Sequence, residues 1–172
     1  MVGYGSGGLA VIDPAKASLL SRIPLPAHPE GFQLDHANRR AFVNVPDARQ
    51  IAVVDMNAGR QTASWRLPDL GANFPMALDA AQAAVAVVFR NPARLVIFDV
   101  NTGKPTGTFK TCGDADDVFF DAKRRRRNSA IPNALYVMFL WLSSSYCEGD
   151  RLTVGRRVQG GRIAAAAIER SK

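Results

Sequence analysis

The sequence has little of what a disulfide-bonded or zinc-bound protein requires. It contains two cysteines in 172 residues, Cys112 and Cys147, and neither belongs to a CxxC pair or has a histidine close by. Structural zinc sites need such clustered ligands, so zinc is disfavoured. A disulfide between the two would require an oxidising compartment, and two buried thiols are the simpler expectation.

Long hydrophobic runs are also missing. The most apolar stretch, residues 134–142, is about half of the ~20 residues that a membrane-spanning helix needs. We therefore expect a buried strand or helix there and no membrane span. Residues 1–13 lack a basic segment followed by an apolar core, so no signal peptide is predicted. The compartment stays open on this basis.

Charge is plentiful but unevenly distributed. The chain carries 22 Lys and Arg against 15 Asp and Glu, a formal net charge of +7, while residues 1–122 are close to neutral. The excess includes five consecutive cations: Lys123, Arg124, Arg125, Arg126 and Arg127. Such a run is typical of a solvated face. Clustered arginine also releases counterions from phosphate, which makes contact with a nucleic acid or another anion the alternative.

Helical spacing is absent from residues 8–122, and two interleaved sequence repeats take its place. Both recur every 42 to 44 residues, which is the period of β-propeller blades, each a small four-stranded sheet. One series is Val-Ile-Asp at 11–13, Val-Val-Asp at 53–55 and Ile-Phe-Asp at 97–99, and the other is an apolar segment before Asp at 32–35, 76–79 and 118–121.

Alternation of apolar and polar residues predicts four strands in each unit. In the first complete unit they fall at 31–34, 41–45, 51–55 and 62–67, and Asp35 opens a turn in which its side chain can bond the backbone. The next unit predicts strands at 76–78, 84–89, 95–98 and 106–110. The second and third strands of this unit are continuously apolar, which indicates burial on both faces by neighbouring blades.

These segments resemble the YVTN-repeat β-propeller family, often called YncE-like proteins. The resemblance lies in Ile51-Ala-Val-Val-Asp55 followed by Gly59, in Leu95-Val-Ile-Phe-Asp99 followed by Asn101-Thr102-Gly103, and in the opening Leu9-Ala-Val-Ile-Asp13. It covers residues 8–122 and implies an all-β fold, a partial, open β-propeller of four-stranded antiparallel blades. Members typically have about seven blades and are often periplasmic or secreted.

The chain departs from this pattern after residue 122. We therefore divide it into a partial propeller, 1–122, and a basic, atypical segment, 123–172, which is irregular or partly helical, with a short alanine-rich helix expected over 163–172. Segments 134–142 and 151–154 could form strands. The spacing of 42 to 44 residues is lost in this segment, which suggests a truncated or frameshifted product. A sheet with raw edges would also invite self-association, or a partner chain that completes the propeller.

The propeller pattern suggests one candidate metal site. If the residues before each blade's first strand ring one mouth of the channel, His28, Glu30, Asn73, Asp114, Asp116 and Asp117 belong to that ring. Propeller enzymes of the gluconolactonase type hold a divalent cation in such a ring, and Glu30, Asn73 and Asp116 would supply its oxygen ligands. Oxygen ligands suit Ca²⁺ or Mg²⁺. The competing interpretation is that these are hydrated loop groups.

Three functions follow from these patterns. The favoured one is a non-enzymatic binding or scaffold module of YncE-like form, without a cofactor and with an unknown partner. The second is a remnant of a metal-dependent, gluconolactonase-type hydrolase. The third is a non-functional product. No Ser or Cys nucleophile stands at a recognisable spacing from His28 or His36, so no catalytic residue is assigned.

Overall fold

The structure is a computed structural model that describes residues 1–5, 7–111, 113, 115–121, 134–140, 152–155 and 163–168, the last three ranges by their backbone. It is all-β, and its strands form one three-stranded and three four-stranded antiparallel sheets. The chain divides into two compact units, Met1–Phe74 and Pro75–Lys172. The predicted fold class, four-stranded antiparallel blades, is confirmed.

The strands follow the two repeats along the chain. The first sheet contains β1 (Val2–Gly3), β2 (Gly8–Asp13) and β3 (Ser18–Pro24). The second contains β4 (Phe32–Asp35), β5 (Arg40–Val45), β6 (Gln50–Asp55) and β7 (Arg60–Arg66). The third contains β8 (Gly71–Asp79), β9 (Ala84–Asn91), β10 (Ala93–Asp99) and β11 (Pro105–Lys110). In each of these sheets, consecutive strands are neighbours.

Five of the six aspartates that mark the repeat begin turns whose residues the structure describes. Each side chain accepts hydrogen bonds from backbone amides two or three residues further on: Asp13 from Ala15 and Lys16, Asp35 from Asn38, Asp55 from Asn57 and Ala58, Asp79 from Ala81 and Gln82, and Asp99 from Asn101 and Thr102. The amides of Ala58 and Asn57 accordingly lower the pKa of Asp55. The aspartate therefore carries a structural role at each of these five turns.

A left-handed residue closes each of these turns. The fourth residue after the aspartate has positive φ in all five, at Ala17, Arg39, Gly59, Ala83 and Gly103. Glycine adopts this conformation without cost, whereas a residue with a Cβ is strained by it. The turn geometry therefore repeats along the chain even though the residue at this position changes.

The core of the first unit lies between its two sheets. The first sheet contributes Leu9 and Ile23, and Leu25 follows directly after β3. These side chains pack with residues of β5 and β6 on the second sheet: Ala41, Val43, Val45, Ala52 and Val54. These side chains alternate along their strands, so one face of each sheet supplies the contact. The other face of β5 and β6 is buried as well, at Phe42, Ile51 and Val53.

The second unit has the same kind of core. Ala86 and Val88 of β9 and Leu95 and Ile97 of β10 pack against the fourth sheet, through the side chains of Ala115 and Val118. Leu95 and Ile97 stand four and two residues before Asp99, as Ile51 and Val53 stand before Asp55. Successive residues of β9 and β10 are buried, so both faces of these central strands are covered, as the sequence predicts.

The fourth sheet differs in strand order. It contains β12 (Ala115–Asp121), β13 (Ala134–Leu140), β14 (Leu152–Gly155) and β15 (Ile163–Ile168) in the order β12-β13-β15-β14. The predicted alanine-rich helix over 163–172 is wrong for 163–168, because β15 pairs with strands on both sides. Backbone pairing within a sheet outweighs the high helix propensity of alanine here.

Two further expectations concern the tail and the membrane. The strands expected at 134–142 and 151–154 are present as β13 and β14, whereas the boundary near residue 122 stays a prediction. Within the described ranges, no helix combines the length and the apolar character that crossing a bilayer demands.

Asp35 offers a pH-dependent test of the turn. Burial raises the pKa of its carboxyl group, but hydrogen bonds from Arg40 and Asn38 outweigh burial, so the pKa lies below its ordinary value. Arg40 Nε and Asn38 Nδ2 each lie 2.9 Å from Asp35 Oδ2. A carboxylate with a depressed pKa stabilises the folded state above its unfolded-state pKa, and this contribution is lost as the pH falls through the folded-state pKa.

We expect Asp35→Asn to lower the free energy of unfolding by about 1–3 kcal/mol at neutral pH, since Arg40 loses its charged partner. The difference from wild type should shrink as the pH falls below about 4. Urea denaturation across this range measures it, with Asp47→Asn, at an exposed carboxylate, as the control. A difference that is independent of pH would contradict the assignment.

Candidate functional site

A buried polar cluster in the first unit contains one of the predicted site residues. Asn44 interrupts the apolar strand β5 and is fully buried. Its Nδ2 donates to the carbonyl oxygen of Phe74 at 2.8 Å, and its Oδ1 accepts from Asn73 Nδ2 at 2.9 Å. Asn73 Nδ2 also donates to the carbonyl oxygen of Gln50, at 3.0 Å. The cluster therefore links β5, β6 and β8.

These contacts determine how the amide of Asn73 is oriented. Asn44 must direct its Oδ1 at Asn73, because its Nδ2 is committed to a carbonyl oxygen. Asn73 then faces two acceptors, which only its Nδ2 can satisfy. Its Oδ1 points elsewhere and, among the described residues, is the buried side-chain polar atom that lacks a hydrogen-bond partner. Asn73 is 1% exposed, so this oxygen requires a donor or a cation.

The backbone before Asn73 is strained. Ala72 has a φ of 54°, in the left-handed region that favours glycine, and it lies inside β8, away from the aspartate turns. Such strain is sustained only where the surroundings compensate for it, and it occurs preferentially at functional positions. The strained residue directly precedes Asn73, whose amide nitrogen donates to Asn44 and to Gln50.

Glu30 approaches the same cluster through its backbone. Its amide donates to the carbonyl oxygen of Asn44 at 2.9 Å, and the amide of Asn44 donates to Gly31. The side chain of Glu30 is exposed and lies 3.9 Å from His28 Nε2, while His28 Nδ1 lies 3.0 Å from the carbonyl oxygen of Gly5. Glu30, through its backbone, and Asn73, through its side chain, are therefore both hydrogen-bonded to Asn44. The carboxylate of Glu30 lies at the surface.

Asp116 belongs to the second unit and forms an ion pair. Arg90 Nη2 lies 3.0 Å from its Oδ1, and the same guanidinium donates to the carbonyl oxygen of Ala115. The neighbouring Asp117 accepts a hydrogen bond from the amide of Val118. Arg90 would compete with a cation for Asp116. Asp114, the remaining member of the predicted ring, lies outside the described residues.

The arrangement therefore favours structural use of these polar groups. In the ranges that the structure describes, no three His, Cys, Asp or Glu side chains are grouped so that they could share a metal ion. The set Glu30, Asn73 and Asp116, with Ca²⁺ or Mg²⁺, stays a prediction. So do the anion contacts of Lys123–Arg127 and the state of Cys112 and Cys147, all of which lie outside the described residues.

Sequence reasoning missed Asn44, Gln50 and Arg90. Asn44 had a detectable signal, because a polar residue within an otherwise apolar buried strand needs an internal partner. The corresponding residue of the third sheet is Val88, so the cluster does not repeat with the blades. Gln50 and Arg90 stand at strand ends, where polar residues are ordinary, and no comparable pattern marks them.

Comparison with known structures supports the fold. A crystal structure of AztD from Citrobacter koseri, a β-propeller protein, matches with a TM-score of 0.52 and 19% identity over 63% of this chain and 31% of AztD. The structure of apo AztD from the same organism matches with a TM-score of 0.53 and 19% identity over 64% of this chain and 32% of AztD. The chain spans about a third of the length of AztD. No protein-family model and no curated protein matches the sequence.

The unpartnered oxygen of Asn73 generates a prediction. We expect Asn73→Ala to lower the free energy of unfolding by about 1–3 kcal/mol without metal, because two buried acceptors lose their donor. If Asn73 is a cation ligand, millimolar Ca²⁺ or Mg²⁺ raises the stability of wild type and leaves the variant unchanged. Chemical denaturation of both proteins, with and without metal, measures these effects.

Asn57→Ala, in an exposed turn, is the control for both measurements and should stay within about 0.5 kcal/mol of wild type. Equal stability of Asn73→Ala and wild type would contradict the buried cluster. Wild type whose stability is indifferent to both cations would remove Asn73 from the predicted metal site.

Proposed function

We propose that this chain is a non-enzymatic binding or scaffold module built on part of a β-propeller of YncE-like form. The observation that carries the proposal is the use of the repeat's carboxylates. Asp13, Asp35, Asp55, Asp79 and Asp99, the most regular polar residues of the chain, all accept hydrogen bonds within turns. Groups engaged in this way maintain strand geometry, which is what a rigid binding surface requires.

Burial on both faces of the central strands supports the same role. In β6 and β10, apolar residues are buried on both faces of the sheet. Stacked sheets of this kind hold their loops in constant positions, and loops on a rigid scaffold are the usual place for recognition. The likeness to AztD supports the propeller scaffold without identifying a partner.

The charge distribution favours an anionic partner, and we propose a nucleic acid. Five successive cations, Lys123–Arg127, stand in a chain of net charge +7. Such a run neutralises neighbouring phosphates and releases their counterions, a contribution to affinity that does not depend on base sequence. This part of the proposal rests on the sequence alone.

A second candidate is the metal-dependent, gluconolactonase-type hydrolase. The unpartnered buried Oδ1 of Asn73 favours it, because a cation would satisfy that oxygen. The ion pair between Arg90 and Asp116 opposes it. The binding module is the better supported of the two, since it accounts for the repeated aspartates and for the ion pairs Arg40–Asp35 and Arg90–Asp116 without a further ligand.

A mobility-shift assay with duplex DNA tests the nucleic-acid partner. We expect the chain to shift the duplex at low salt. Replacing Lys123–Arg127 by glutamine should weaken binding more than about tenfold. It should also reduce the salt dependence of log K by about 0.9 for each phosphate that the variant no longer neutralises.

The matched control removes the same charge elsewhere. Five exposed cations of the propeller part are replaced by glutamine: Arg39, Arg49, Arg60, Lys104 and Lys110. This variant should keep most of the affinity. No shift with wild type at low salt, or equal weakening by both variants, would contradict a specific role of Lys123–Arg127.

A further inference from the structure

Two cations stand directly opposite each other at one end of the third sheet. Arg94 of β10 pairs with Lys110, the last residue of β11. Residues directly opposite in an antiparallel pair point to the same face of the sheet, with their Cβ atoms about 5 Å apart. Like charges in this arrangement destabilise the pair unless an anion compensates them. Lys110 is exposed and Arg94 is half-buried, so an anion from solvent can approach both.

No carboxylate of the described ranges neutralises this pair. The ion pairs found there are His28–Glu30, Arg40–Asp35 and Arg90–Asp116. Arg90 lies opposite Ala93, the neighbour of Arg94, and successive residues of a strand point to opposite faces. The ion pair of Arg90 therefore belongs to the other face of the sheet. Among the described residues, the charges of Arg94 and Lys110 are left without a counter-charge.

The second sheet arranges the same position differently. Counted back from the turn aspartate, Gln50 is the counterpart of Arg94. Gln50 pairs with Arg66, whose Nη2 lies 3.5 Å from Gln50 Oε1. The second sheet thus places an oxygen acceptor opposite its cation. The third sheet places a second cation there, so the blade pattern itself does not require Arg94.

The guanidinium of Arg94 is oriented by the hairpin that carries it. Its Nη1 donates to the carbonyl oxygen of Ala93 at 2.8 Å, which leaves further N–H groups for a ligand. A guanidinium held in this way loses less conformational entropy when it binds. Thr108, two residues before Lys110 and on the same face, is exposed and adds a hydroxyl group. Guanidinium, ammonium and hydroxyl groups are donors that suit phosphate oxygens.

We propose that Arg94 and Lys110, together with Thr108, bind a small phosphate-bearing anion at this end of the third sheet. The anion accepts hydrogen bonds from the guanidinium and attracts the ammonium group, so binding offsets the repulsion between the two cations. All three residues stand on neighbouring strands of one sheet, which fixes their spacing. The site uses none of the residues Lys123–Arg127 and does not depend on the proposed nucleic-acid binding, because its ligand is a free anion.

Nuclear magnetic resonance titration of the full chain with inorganic phosphate, at constant ionic strength, tests the proposal. We expect the Nε–H signal of Arg94 and the amide signal of Lys110 to shift saturably, with a Kd in the millimolar range. Arg94→Gln, which installs the residue type of Gln50, should weaken binding by about tenfold or more, as followed by the Lys110 amide. Lys104→Gln removes an exposed cation of the same unit and is the control, which should bind phosphate like wild type.

Urea denaturation in chloride provides a second measurement. Without phosphate, Arg94→Gln should be at least as stable as wild type, because the variant no longer holds two like charges opposite each other. In phosphate, wild type should gain stability and the variant should gain less. A variant that is less stable than wild type in chloride would contradict the uncompensated charge pair.

Each outcome of the titration decides the proposal. Shifts that rise without saturating, wild-type affinity in Arg94→Gln, or equal weakening by Arg94→Gln and Lys104→Gln would each overturn it. Should Arg94→Gln unfold, Lys110→Gln tests the same site with the same expectation, followed by the Nε–H signal of Arg94.

The mobility-shift assay on Arg94→Gln separates this site from the nucleic-acid partner. The variant should bind duplex DNA like wild type. A loss of DNA binding that accompanies the loss of phosphate binding would assign the two cations to a phosphodiester backbone and overturn the proposal of a free anion. Wild type that binds phosphate but not DNA would remove the nucleic-acid partner and leave this site in place.

Discussion

The central strands of this chain are apolar on both faces, and the need to cover both is the constraint on which the rest of the structure depends. A strand such as β6 cannot be half-solvated, since Ala52 and Val54 are buried on one face and Ile51 and Val53 on the other. In the first unit the first sheet covers one of these faces with Leu9 and Ile23. Stacking of sheets is therefore required for stability, as expected for a repeat whose single unit cannot bury its own apolar residues.

The aspartate turns make this stacking possible. A shift of one residue in strand pairing would move every buried side chain to the opposite face. The turn that begins at each aspartate and ends at a left-handed residue specifies where one strand stops and the next begins. Ala17, Arg39 and Ala83 accept an unfavourable φ at this position, which indicates that correct register is worth more than the local strain.

Much of the fold could be predicted from the sequence because it repeats. Apolar alternation and the aspartate markers located β4–β7 and β9–β11 to within a few residues. The alanine-rich strand β15 could not be found this way, because its partners β13 and β14 lie outside the repeat and local propensity alone favours a helix. Only part of the buried cluster of Asn44 and Asn73 can be predicted from the sequence. The position of Asn73 before a strand marks it as a candidate, whereas its hydrogen-bond partners depend on contacts between separate strands.

Face-to-face packing of the first two sheets is the central claim, and methyl nuclear Overhauser effects test it most directly. The structure predicts cross-peaks between the methyl groups of Leu9 and Ile23 on the first sheet and those of Val43 and Val54 on the second, which share one buried cluster. Overhauser effects that connect these methyl groups only within their own sheets, in a protein shown to be folded, would contradict the account.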